Sequence, residues 1–197
     1  MARPKGYDRD AVLRAARDLF WERGYEATSV ADLEARTGLN RSSLYQEFGS
    51  KHGLFEAALE CYADQVIARL LADLRQADAG LAAVAALFTR LGGLFRSPAS
   101  ASTRGCLLVN ATAELAARDE RIRPAAAAYR DRLRETFAAA LAQAAERGEL
   151  SAEVVQPRAK LLASTLMGVW LTVRIDARDA SDLCDTIARE VASWGKP

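Results

Sequence analysis

One histidine, three scattered cysteines and no charge excess of either sign set the first limits on this chain of 197 residues. His52 alone leaves little material for a metal site or a histidine-based catalytic machine, so no metal and no cofactor are expected. Cys61, Cys106 and Cys184 lie far apart, show no C-x-x-C spacing and total an odd number. That excludes a disulfide framework or zinc cluster and reads as reduced thiols of a cytosol. There is no phosphate loop and no paired carboxylate in an apolar setting, and the expectation is that the chain is not an enzyme. Apolar stretches fall far short of the roughly 20 residues of a membrane span. The start, Met1 to Asp8, is basic but has no apolar segment behind it, so no signal peptide is expected and the protein reads as cytoplasmic, without a membrane partner. Basic and acidic side chains number 27 and 26, and within residues 1–55 nine and eight. Charge totals therefore give no support to a nucleic-acid partner; position has to supply it.

What is present is hydrophobic residues at helical spacing, half of the chain in all. Asp8 opens a stripe of Val12, Leu13, Ala16, Leu19 and Phe20 that Gly24 closes. Ser29 with Asp32 three residues on forms a loose capping box. Thr37-Gly38-Leu39 reads as a tight turn, Asn40 as the cap of a short helix through Leu44 to about Phe48, and Gly49-Ser50 as its break. Residues 51 to about 77 read as one amphipathic helix, with Leu54, Phe55, Ala58, Leu59, Tyr62, Val66, Leu70 and Leu74 on one side. Further helices are expected at about 81–95, 105–117, 119 or 123 to 147, 157–175 (opened by Pro157) and 180–194, with SPASAST at 97–103 as a loop. No segment alternates as a strand would, which makes the fold class all-α. The domain division expected is 1–50, a three-helix helix-turn-helix unit, and 51–197, a larger helical domain.

Two short helices joined by a glycine turn, with a third packed across them through Leu19 and Phe20, can lay the last helix in a DNA major groove. At this point the sequence resembles the TetR family of regulators. The resemblance rests on Ala15-Ala16-Arg17-Asp18-Leu19-Phe20, on Arg23-Gly24-Tyr25-Glu26-Ala27-Thr28-Ser29-Val30, and on Leu33, Gly38, Leu44, Tyr45, Phe48, Ser50 and Lys51 at the family's spacing. It runs almost unbroken from residue 8 to 55. It implies that Asn40, Arg41, Ser42, Tyr45 and Gln46 form the exposed face of the reading helix. Arg41 suits a guanine edge and Gln46 an adenine. Tyr45, Lys51 and the Ser29 helix start would hold phosphate, and Arg3 and Lys5 would form a basic arm. Glu47 departs from the pattern, and a carboxylate there is expected to repel phosphate.

For the second domain the resemblance implies effector binding and dimerisation. The apolar run Leu161 to Leu171 asks for cover on all sides, which a partner's last two helices would complete. A homodimer then presents two reading helices roughly 34 Å apart to a palindromic double-stranded operator. A pocket for an unknown small molecule is expected from Phe88, Phe95, Cys106, Asn110, Tyr129, Met167 and Trp170. The expected function is a ligand-responsive repressor. The alternative is a redox or electrophile sensor acting through Cys106, which sits in a Gly-Cys-Leu-x-x-Asn segment similar to one branch of the family, at a helix start and near Arg104, both of which favour a thiolate.

Overall fold

The computed structural model describes residues 7–97 and 101–195, and no strand occurs among the described residues. The first three helices are bounded by local chemistry. Asp8 accepts hydrogen bonds from the amides of Asp10 and Ala11 to start α1 (Arg9–Arg23). Ser29 and Asp32 form a full capping box, each side chain reaching the other's amide, at the head of α2 (Val30–Thr37). Gly38 then takes a left-handed conformation, φ 73°, which costs little without a Cβ. Asn40 accepts from the Ser43 amide to start α3 (Arg41–Phe48), and Ser50 from that of Gly53 to start α4 (Lys51–Tyr62). Each such cap is worth about 1 kcal/mol, which matters for eight-residue helices that nucleate poorly alone. Burial of Leu19, Phe20, Leu33 and Leu44 then joins the three helices.

The expected single helix over 51–77 is not what forms. After Tyr62 the chain makes a π turn at Ala63–Ile67, then brief α and 3-10 turns at Ala68–Leu70 and Ala72–Arg75. A π turn carries one extra residue, so the buried face slips by one position. Ile67 and Leu71 are buried, while Val66 and Leu70, expected on that face, are only half-buried.

The remaining helices are α5 (Leu81–Arg96), α6 (Leu107–Leu115), α7 (Ile122–Glu146), α8 (Val155–Thr172) and α9 (Ala177–Ala192). Pro157 does not open α8 but sits in its first turn, where the missing N–H would have had no partner. Residues 98–100 of the expected loop lie outside the described residues, and Ala101–Arg104 is one 3-10 turn. α9 packs along α5, and α7 along α8. One hydrophobic cluster runs through the molecule from Leu13 to Val191, so the head shares its core with the body. No helix among the described residues is long and apolar enough to cross a membrane.

Candidate nucleic-acid interface

α3 buries Leu44 completely and presents Arg41, Ser42 and Gln46 to solvent, with Tyr45 half-buried beside them. Asn40 and Ser29 are exposed, but their side chains are engaged as caps. The Ser29 hydroxyl also donates to Asp32 Oδ2 at 2.5 Å, so what this helix start has to offer an anion is its amides. The Arg41 guanidinium lies 5.4 Å from the Tyr45 ring centre, and Lys51 Nζ 4.2 Å from that of Tyr25. Such cation–π contacts hold a long side chain in place without neutralising it.

The ion pairs explain why the charge totals were silent. Along the head Arg14 pairs with Asp8, Arg17 with Asp18, Arg23 with Asp32, Arg36 with Glu22 and Arg9 with Glu47. Among the described residues up to 55, that leaves Arg41 and Lys51 as the basic side chains with no carboxylate partner. Arg41 is the first residue of α3 and Lys51 the first of α4. Near-neutral totals thus conceal a local positive face. Arg3 and Lys5, expected as a basic arm, lie outside the described residues.

Glu47 corrects the expectation of repulsion. Its side chain is only 11% exposed, turned back onto α1, where Arg9 Nε donates to it at 3.0 Å and the Tyr7 hydroxyl at 2.8 Å. The departure from the family pattern is a strut between α1 and α3, with its charge met by Arg9.

The seven residues expected around an effector do not enclose one space. Phe88 is fully buried and stacks on Phe137, and Phe95 meets Trp170 edge-on at 5.6 Å. Asn110 is a brace, donating to the Arg104 carbonyl at 2.8 Å and accepting from Arg174 at 3.0 Å. Met167 is half-buried against the core. Trp170 borders a cavity of about 490 Å³ reaching to Trp21, whereas Tyr129 borders another of about 650 Å³ between α4 and α7. Phe88, Phe95, Cys106, Asn110 and Met167 line neither. The periodicity that nominated them reports burial, and buried aromatics are mostly core.

Cys106 caps α6 rather than standing inside its first turn, and it is fully buried. Its thiol donates to the Tyr129 hydroxyl at 3.6 Å. Burial pushes the thiol above its ordinary pKa, although hydrogen-bond contacts with the Val109 amide, with Tyr62 and Tyr129 and with the Leu108 amide oppose the rise. Arg104, expected to favour the thiolate, lies instead over the Trp21 ring at 4.6 Å and reaches Glu22 at 3.5 Å. A buried, protonated thiol is a poor nucleophile. The two other cysteines are a half-buried Cys61 and a buried Cys184.

Comparison with known proteins matches residues 12–58 to the N-terminal model of the bacterial regulatory proteins of the tetR family. Residues 80–182, more than half of the chain, match a tetracyclin repressor-like C-terminal domain. The chain belongs to the TetR family. It is 42% identical to the HTH-type transcriptional repressor ComR of Escherichia coli over 109 residues, which span 55% of this chain and about half, 51%, of ComR. It is 32% identical to the HTH-type regulator YezE of Bacillus subtilis over 157 residues, 78% of each chain. Among solved structures, a cysteine mutant of the TetR-family regulator CifR complexed with 26-base-pair operator DNA superposes with a TM-score of 0.79, at 30% identity over 97% of this chain and 98% of that one. The reduced form of E. coli NemR, at 21% identity and TM-score 0.79 over 92% of this chain and 95% of that one, shares the fold. The protein is therefore a transcription regulator of all-α architecture, with a helix-turn-helix head and a helical C-terminal domain.

Sequence reasoning missed the residues that fasten a TetR head to its body. The Glu114 carboxylate accepts from the amides of Tyr25 at 3.1 Å and Glu26 at 2.9 Å, so α6 caps the turn between α1 and α2. The Trp21 indole N–H donates to the Gly105 carbonyl at 3.1 Å. Gly105 has φ 71°, and a Cβ there would meet the Trp170 carbonyl at 2.7 Å. Arg104, Glu22 and Arg36 then link the body to α2 through α1. Arg104 does stand just before the Gly-Cys-Leu-x-x-Asn segment singled out above, and Glu114 four residues past its end. Only their distance in sequence from residues 21–26 hid the contact.

Proposed function

We propose that the protein is a cytoplasmic, ligand-responsive repressor that binds a palindromic operator as a homodimer. The reading rests above all on the two basic side chains without carboxylate partners, Arg41 and Lys51, which begin the reading helix and the helix after it in a TetR head. Arg41 reads a guanine edge and Gln46 an adenine edge, with Asn40 and Ser42 beside them. Tyr45, Lys51 and the first-turn amides that follow Ser29 hold the phosphate backbone. The CifR neighbour supports the operator, since its structure is of a complex with operator DNA at 30% identity. Pairing through α8 and α9 is supported by large apolar side chains left in water at the end of α8 and on its outer face: Leu161 at 57%, Leu171 at 42% and Ile175 at 87% exposed. An isologous bundle covers that stripe. Effector binding releases DNA by favouring a spacing of the two reading helices that fits the operator badly. A coupling of about 1–3 kcal/mol lowers operator affinity about 5- to 150-fold.

Fluorescence anisotropy with the DNA upstream of the protein's own gene tests the reading. Sequence-preferring binding that weakens steeply with salt is expected, at nanomolar to micromolar protein. Equal affinity for that DNA and scrambled DNA would sink it.

A further inference from the structure

The cavity of about 490 Å³ beneath the head has a composition that names an occupant. Three aromatic rings, Trp21, Tyr62 and Trp170, wall it together with Val66, Leu70, Leu91 and Leu94. Its volume falls within the range of small-molecule sites, about 300–1,000 Å³. Val66 and Leu70 are there because the π turn at Ala63–Ile67 slipped the buried face onto Ile67 and Leu71. Polar groups are few, and most are already satisfied. Asp73 is tied to Arg90 by an ion pair, and Arg90 also donates to the Leu70 carbonyl. Gln65 accepts from Arg17 at 3.0 Å.

Arg69 differs. It lines the cavity, and among the described residues its side chain has neither an ion pair nor a hydrogen bond. The acid at this site is thus neutralised, and one cation is left over. We infer that the cavity takes an aromatic carboxylate, its ring between the aromatic walls and its carboxylate at Arg69. The inference rests on the ligand-responsive reading above and supplies the chemical class of the effector. It also supplies a route to the head, because the occupant touches Trp21 of α1, whose indole holds the Gly105 carbonyl.

Calorimetric titration of the full chain, without DNA, tests the assignment with three probes sharing one ring system: 1-naphthoate, 1-naphthalenemethanol and 1-naphthylmethylammonium. The carboxylate is expected to bind at least about fivefold more tightly than the alcohol, a difference of about 1 kcal/mol, and the ammonium most weakly. Arg69→Gln, at an exposed position without partners, should keep its melting temperature and bring the acid and alcohol to equal affinity. Leu94→Trp, at a site 45% exposed on the cavity wall, should abolish binding of all three. Equal affinities in the unaltered protein, an ammonium that binds best, a carboxylate preference that survives Arg69→Gln, or no saturable binding up to about 1 mM each overturn the assignment. The titration contains no DNA, so a protein that binds naphthoate as expected yet has no sequence preference refutes the repressor reading and leaves the cavity assignment intact.

Discussion

The reading head and the helical body answer the same problem, holding polar groups against an apolar core, in opposite ways. The head caps its helices locally. Asp8, Ser29, Asn40 and Ser50 each satisfy amides two or three residues away. The body works over long range. Glu114 caps a turn 89 residues earlier, and Trp21 reaches a carbonyl 84 residues on. Helices begun by local caps set Arg41 at the start of α3 and Lys51 at the start of α4. In the body, the meeting of distant segments decides which side chains border a cavity, Arg69 among them. The head's DNA face is therefore written in consecutive residues, and the ligand space of the body is not.

The sharpest break of that comparison is Leu44→Ala. Leu44 is the fully buried anchor of an eight-residue helix, and its truncation should cost about 2–5 kcal/mol and abolish DNA binding. Chemical denaturation followed by circular dichroism reads this, and a loss under 1 kcal/mol would mean that the caps alone hold α3. Next in size, Arg41→Ala should weaken operator binding by about 1–3 kcal/mol and relax preference at one base pair. Lys51→Ala should weaken all sequences alike and lower the salt slope by about one. Identical profiles for the two variants would remove the division between base and phosphate contacts.

Glu114→Gln tests the long-range side. Loss of a charged acceptor shared by two amides should cost roughly 1–2 kcal/mol in thermal melting, with faster amide exchange at Tyr25 and Glu26. Unchanged exchange there would show that the head needs no brace from α6. A smaller effect is expected of Glu47→Gln. It should lower stability by less than about 1 kcal/mol and leave operator affinity within about twofold, since Arg9 and Tyr7 hold this carboxylate. A large gain in affinity would instead place Glu47 against phosphate.

The smallest effect is in acid. Hydrogen bonds from the Arg121 side chain hold the Asp119 carboxyl down at about 2, against the opposing effect of burial. A depressed carboxyl adds stability above the pKa it has in the unfolded chain, and that contribution fades as pH falls from about 4 toward 2. Asp119→Asn should flatten the melting temperature over that window. An unchanged acid slope would discount the pair.

How much could be read in advance follows the same division. Caps at Ser29 and Asn40, the helix start at Asp8 and the break at Gly49-Ser50 were legible because each is decided by neighbours two or three residues away. The single helix expected at 51–77 failed because nothing local marks the π turn; the slip becomes visible only when Ile67 and Leu71, not Val66 and Leu70, meet the core. Glu47 was identified as a departure from the family pattern, but its direction was not, since Arg9 stands 38 residues away. Cys106 was placed beside Arg104 by sequence, yet side-chain packing sent the guanidinium to Trp21.

By itself the sequence determined an all-helical chain, the ends of its first three helices and a head of the TetR type, because caps, turns and helical periodicity act over a few residues. Tertiary structure alone decided which cations stay unpaired, where the cavity lies and how the head is braced. Those outcomes depend on groups brought together across tens of residues, and no local pattern encodes a distance of that kind.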